Sequence, residues 1–513
     1  MTATATATAV PQGTAPTRDR PAPLPVPRWA WVAVVVLVAA IAFWVRIGLL
    51  LRGGGLLGSD AYDDGVYYAG AAAFAHGRVP YLDFLFLQPP GIMVLLGPFA
   101  ALGAVVTDAR AMALARVSFE LVGALNAVIV MVLARRWGFG AALIAGVTYA
   151  VFFPNAYTER STTLEPIGTL GILLALLLAR RAAVSPAWAL LAGACAALAV
   201  SMKVWYIIPA AIVLAFQPAR RLQWFLGLVG GGVALYVPFL LAAPGPMLQQ
   251  VVLDQLGRPR PGTLIGSLKK RVLGLSGAPT LHGSLAWLTP SRIALTVFAI
   301  GLLLAIGAAL VRGARVYVVL SVVTALVIIA SPSYFTHYVS FVTPWASVMV
   351  GVGAARWLRP IPIRAVRAVG VVVLLVLVVA LDWRRDAQPI GERIPLASLR
   401  PAAAQVRGCI TTDDPVILAS MNVLTRDLER GCPLWPDVTG WTYDRDDVRK
   451  ANGQAQDRPK NLRWQHDLLV YLRSGDATIV ARQLTGLSPE SKAVLERGRV
   501  LGGSGGFLLR TTP

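Results

Sequence analysis

The stretch WAWVAVVVLVAAIAFWVRIGLLL, Trp29–Leu51, carries a single charge, Arg46. As a helix rising about 1.5 Å per residue, it is long enough to cross the roughly 30 Å hydrocarbon core of a bilayer. It is too long for the core of a signal peptide and lacks a small-residue cleavage site, so it reads as a first membrane span. The Thr-, Ala- and Pro-rich residues 1–28 before it read as a disordered cytoplasmic tail. The rest of the 513-residue chain points the same way. It is 56% hydrophobic with a mean hydropathy of +0.63, and 14% charged where about 25% is usual. A soluble single-domain enzyme is thereby excluded.

Further apolar runs lie at about 111–134, 138–153, 165–179, 186–202, 204–217, 222–242, 293–311, 316–330, 335–355 and 368–381, which makes about eleven spans over residues 29–382. The 47 Lys and Arg against 26 Asp and Glu give a net charge of +21. The basic residues cluster where runs end, at Arg135-Arg136, Arg180-Arg181, Arg220-Arg221, Arg312/Arg315 and Arg356/Arg359/Arg364/Arg367. With the N-terminus inside, every even-numbered span then ends on a cytoplasmic basic cluster, as the positive-inside rule requires. The clusters are short and separated by spans, so no nucleic-acid face forms. Counting Gly91–Val106 as a span would reverse every later loop. Introduced by Pro89-Pro90 and containing Pro98, it reads as an interfacial or re-entrant helix.

The acids sort to the opposite side. Asp60, Asp63, Asp64, Asp83 and Asp108 fall in a first outer loop, 52–110; Glu159 lies in a second, 154–164, with Glu165 at its end; Asp254 lies in a third, 243–292. An odd span count also places residues 383–513 outside, where the mixed-charge composition and the strand-like runs Val416–Ala419 and Thr478–Ala481 suggest a small α/β domain. Cys409 and Cys432 could pair there, while Cys195 packs in an apolar run. The expected architecture is an all-α polytopic bundle in the cytoplasmic membrane with a small extracytoplasmic C-terminal α/β domain.

No P-loop, metal-type cysteine pair or internal repeat is visible, which argues against an ATP-driven pump. A transporter of a lipid-linked sugar would place its ionisable groups near the bilayer midplane between broken helices. Here they gather at one end of the bundle, with Glu120 the deep exception; four residues after Arg116, it reads as half of an intrahelical pair. A scaffold that only bound wall polymer would not need carboxylates at the bundle mouth. The first loop reads Ser59-Asp60-Ala61-Tyr62-Asp63-Asp64-Gly65-Val66-Tyr67-Tyr68, then Gly77 to Asp83, then Gln88-Pro89-Pro90-Gly91. Clustered carboxylates among tyrosines suit a general base, sugar hydroxyls or a divalent cation.

These segments resemble the GT-C class of integral-membrane glycosyltransferases, which includes the protein O-mannosyltransferases and the aminoarabinose transferase of lipid A. Ala156 through Glu165 resembles the second outer loop of that class, Gly193 through Lys203 its fifth span with a closing Lys, and Tyr334-Phe335-Thr336-His337-Tyr338 with Pro344 its late His-Tyr-Pro segment. Pro436-Asp437-Val438-Thr439-Gly440-Trp441 is similar to a segment of actinobacterial members. Asp63-Asp64 stands where many relatives have Asp-Glu, and Glu165 where many have Asp. The resemblance implies inverting transfer of a sugar, mannose and arabinofuranose being natural candidates, from a polyprenyl phosphate to an envelope polysaccharide, lipoglycan or glycoprotein. Such a reaction needs a base for the acceptor hydroxyl and cations for the leaving phosphate. The base candidates are Asp60, Asp64 and Asp63 in that order, with Glu165 across from them. Phosphate partners would come from Arg160, Lys203, Arg258, Lys269, Lys270, Arg271 and His337. Tyr67, Tyr68, Asp83 and Glu159 stand as candidates for sugar or acceptor hydroxyls.

Overall fold

The computed structural model describes residues 27–513 apart from 60, 218, 257, 259–263, 283–284, 332, 387, 445–455 and 482–485. The expected N-terminal tail and Asp60 therefore lie outside the described residues. The first ten helices are α1 Arg28–Arg52, α2 Tyr62–Ala75, α3 Gly91–Gly103, α4 Asp108–Ala134, α5 Phe139–Val151, α6 Phe153–Glu159, α7 Glu165–Ala179, α8 Pro186–Met202, α9 Ile207–Phe216 and α10 Arg221–Ala242. Later apolar helices span Pro290–Ala309, Arg315–Ala330, Thr343–Leu358 and Arg364–Asp386. Each apolar run of the sequence is thus helical.

Length separates these helices. Arg28–Arg52, Asp108–Trp137, Arg221–Ala242 and Pro290–Ala309 are long and apolar enough to cross a bilayer, and α5 with α6 passes the same test across a 58° bend. The bend falls at Phe152, just before Pro154, which cannot donate to the ladder and opens the first turn of α6. At 13 residues α3 is about 20 Å long, short of a full crossing. Several helices expose large apolar side chains, among them Leu241 at 78% and Leu295 at 73%. Such surfaces would aggregate in water, whereas in lipid they face their own kind of solvent. Inside the bundle, small residues permit close approach: a Cβ on Gly193 of α8 would stand 1.9 Å from the Trp224 carbonyl oxygen of α10.

The C-terminal region closes on a four-stranded sheet of order β1-β2-β4-β3, with β1 Ile410–Thr412, β2 Ala477–Ile479, β3 Val500–Ser504 and β4 Phe507–Thr511. β1 pairs parallel with β2, and the other pairs are antiparallel. The run around Thr478 is a strand, as expected. Val416–Ala419 is not: it lies within the helix Val416–Met421, which ends at Asn422 in the left-handed conformation. A short, fully buried apolar run carries no periodicity that separates strand from helix, and here Pro415 at the N-cap decides.

This domain shares a core with the bundle mouth. Tyr67, Phe86 and Met112 belong to the same buried cluster as Val416, Leu418 and Ile479. Ser59 and Glu392 exchange backbone hydrogen bonds of 3.0 and 2.8 Å, and the Asp108 carboxylate accepts from the Thr425 amide at 3.0 Å and its hydroxyl at 2.5 Å. Cys409 and Cys432 are joined by a disulfide. The bridged cysteines stand 23 positions apart in the chain, and reduction or a Cys432→Ser change is expected to destabilise the domain by about 2–4 kcal/mol. Denaturant melts under oxidising and reducing conditions measure the difference.

Candidate active site

The loop after α1 delivers two adjacent aspartates into the first turn of α2, where carboxylates complement the helix dipole. Helical geometry turns them apart. Asp64 is fully buried: Arg116 Nε donates to its Oδ2 at 2.8 Å with a second guanidinium contact, while Thr162 donates to Oδ1 from its amide at 3.2 Å and from its hydroxyl. Arg116 also donates to the carbonyls of Leu56 and Gly58 at 2.7 and 3.1 Å. Asp64 is therefore held by internal partners outside the cavity lining, and Arg116 pairs with it rather than with Glu120. Asp63, by contrast, is partly exposed and lines a cavity.

The second outer loop divides in the same way. Glu159 is buried against α1, accepting from Arg46 Nε at 2.9 Å, Asn126 Nδ2 at 2.9 Å and the Tyr149 hydroxyl at 2.6 Å. With its oxygens so occupied it ties α6 to α1, α4 and α5 and lies outside the cavity lining. Arg46, the lone charge in the first span, went unassigned at the sequence level, although an ionisable residue inside a span is a signal in itself. Arg160, next in the chain, lines the cavity with its guanidinium 3.9 Å from the Tyr157 ring centroid. Glu165, at the start of α7, receives a 2.8 Å ion pair from Lys203. The Lys203 ammonium also lies 4.1 Å from the Tyr338 ring centroid and 4.7 Å from that of Trp205. Beside it, His337 stacks on Phe335 at 5.5 Å.

The cavity has a volume of about 580 Å³. Asp63, Tyr67, Arg160, Lys203, Arg258 and His337, all singled out in the sequence, meet in its lining, and Glu165 stands behind Lys203. The strap of residues 81–88 that forms one wall is clamped by glutamines: Gln250 accepts from the Phe86 amide and donates to the Tyr81 carbonyl, both at 2.9 Å, and Gln255 donates to the Leu87 carbonyl at 2.6 Å. Other candidates lie elsewhere. Tyr68 is buried with its hydroxyl 3.4 Å from the Asp108 carbonyl, and Asp83 accepts from the Val79 amide at 2.6 Å within its own turn. Lys269 and Lys270 project into the open from the helix Leu264–Leu275, and Arg271 is buried on the same helix, outside the lining. A long amphipathic helix spreads successive side chains around its axis, so a run of three cations cannot converge on one ligand.

Conversely, Asp437, Thr439 and Arg458 of the C-terminal domain line the cavity, although no role was assigned to them from the sequence. Burial pushes the Asp63 carboxyl above the usual carboxylate range; His337 and Arg258 oppose the shift, and Asp437 and Glu165 reinforce it. Among the described residues no group of three or more His, Cys, Asp or Glu converges as a metal site.

No family model and no curated protein matches the chain. Solved structures do. ArnT from Cupriavidus metallidurans, both in the apo state and bound to undecaprenyl phosphate, superposes with a TM-score of 0.54 over 94% of this chain and 98% of its own, at 16% identity. The chain has the ArnT fold. The Archaeoglobus fulgidus oligosaccharyltransferase tethered with an acceptor peptide is similar at a TM-score of 0.53 and 13% identity, over 88% of this chain and 69% of that one. The resemblance read from the short motifs is thus matched at the level of fold, and the ArnT match extends over bundle and C-terminal domain alike.

Proposed function

We propose that the chain is a glycosyltransferase of the cytoplasmic membrane that takes a sugar from a polyprenyl phosphate and passes it, with inversion, to an envelope saccharide at the outer face. The observation that carries this reading is the cavity lining. One carboxylate, Asp63, shares the cavity with Arg160, Lys203, Arg258 and His337 and has no hydrogen-bond or ion-pair partner of its own among the described residues. In the proposed step the acceptor oxygen attacks the anomeric carbon, its proton goes to Asp63, and the bond to phosphate breaks with its electron pair leaving on the phosphate oxygen. A phosphate is already a good leaving group, so what the protein adds is the base and fixed positive charge where the anion develops. Glu165 holds the Lys203 ammonium in place for that task. The ArnT fold, seen elsewhere with undecaprenyl phosphate bound, supports a lipid phosphate as the leaving group.

The reaction is tested by incubating membranes that contain the protein with labelled polyprenyl-phosphate pentoses and hexoses. Label is expected to leave one lipid for a water-soluble or lipoglycan product. Retention of every label on its lipid, in membranes where the protein is folded, would reject the reading. The proposed sidedness has its own check: a reporter fused after Thr512 should be active only outside the cytoplasm, as an odd span count requires.

A further inference from the structure

We infer that the C-terminal domain supplies an acceptor-binding carboxylate, Asp437, to this cavity, and that the acceptor it fits is an uncharged saccharide offering at least two hydroxyl groups. The inference rests on the proposed transfer reaction and deepens it. Asp437 Oδ1 accepts three hydrogen bonds, from the Tyr62 hydroxyl at 2.9 Å, the Thr439 hydroxyl at 2.9 Å and the Gly440 amide at 2.8 Å. Oδ2 accepts none among the described residues, and the side chain lines the cavity half-exposed. A carboxylate held by one oxygen alone has its remaining lone pairs oriented in advance for a ligand donor.

The support beneath it is rigid. Trp435 stacks on Tyr471 at 4.9 Å and on Trp441 at 4.8 Å, and Trp464 Nε1 donates to the Val438 carbonyl at 3.0 Å. The Tyr62 hydroxyl that donates to Asp437 accepts in turn from the Thr439 amide at 3.1 Å, and Tyr62 immediately precedes Asp63. Two carboxylates, one from the bundle and one from the domain, are thereby tied to the same part of the lining. Together they repel an anionic acceptor. A saccharide gives its attacking hydroxyl to Asp63 and a second hydroxyl to Asp437 Oδ2, while the cations of the lining remain for phosphate. A Ser or Thr side chain of a peptide offers only one hydroxyl.

The test uses purified full-length protein and three probes: octyl α-mannopyranoside, an uncharged Ser/Thr-containing peptide, and undecaprenyl phosphate. Asp437→Ala is expected to weaken glycoside binding about tenfold or more, as loss of a hydrogen bond to a charged group does. Asp437→Asn keeps a carbonyl oxygen for the three internal donors, which guards against misfolding, and is expected to weaken glycoside binding to a lesser extent. Undecaprenyl phosphate should bind both variants as it binds wild type. Unchanged glycoside affinity in Asp437→Asn and Asp437→Ala, or a wild type that binds the peptide and not the glycoside, would overturn the inference. Failure of wild type to bind undecaprenyl phosphate would count against the transfer reaction itself, and so against the inference that rests on it.

Discussion

Asp63→Asn is expected to slow sugar transfer by about 10²–10⁴-fold, the usual contribution of a general base. The amide fills the same space and cannot take the proton, so the thermal melt and the affinity for undecaprenyl phosphate should stay near wild type. The pH profile gives an independent reading. Transfer needs the ionised carboxylate, so the rate of wild type falls as pH drops through the Asp63 pKa. Because burial raises that pKa, the acid limb should sit above the range of an ordinary aspartate. Asp437 and Glu165 raise it further while His337 and Arg258 lower it. Removing the negative charge of Asp437 should therefore move the limb to lower pH, and Arg258→Ala should move it higher. Wild-type turnover in folded Asp63→Asn protein would place the base elsewhere.

Run length and charge at the run ends were enough to locate the apolar helices, because a bilayer imposes one length scale on every span, but not α2, which lies inside the stretch read as the first outer loop. The same sequence placed Asp63, Arg160, Lys203, Arg258 and His337 among the candidates, and these do meet. What could not be read were the long-range pairings. Local spacing suggested Arg116 with Glu120 on one helix, but the guanidinium reaches back 52 residues to Asp64, and Arg46 reaches 113 residues forward to Glu159. Composition cannot distinguish a carboxylate that neutralises a buried arginine from one that faces a cavity, and so Asp64 and Glu159 looked as available as Asp63. Asp437 was hidden for a different reason. Its place depends on how the C-terminal domain docks, through contacts such as that of Ser59 Oγ with Asp414 Oδ2 at 2.8 Å, and no pattern within either segment announces the other.

The neighbouring aspartate provides the opposite test. Asp64→Asn should lower stability by about 3–5 kcal/mol, the range for breaking a buried ion pair from one side. Arg116 and Asp64 are both fully buried. An asparagine can still accept from Thr162 through its carbonyl oxygen, but its NH₂ group then meets a guanidinium that is itself all donors. Among the described residues, the charge left on Arg116 is then met by the carbonyls of Leu56 and Gly58, which belong to the loop that leads into α2. Loosening that loop also frees the first turn of α2, so any loss of turnover in this variant should track the fraction unfolded and show no new pH dependence. Replacing both partners, as in Asp64→Leu with Arg116→Met, should recover much of the lost stability, since an apolar pair of similar volume carries no desolvation penalty. Thermal melts of detergent-purified Asp63→Asn, Asp64→Asn and the double variant separate the roles: the first stable and inactive, the second unstable, the third restored in stability. Coincident melts for Asp64→Asn and wild type would show that the ion pair contributes nothing to holding the mouth of the cavity.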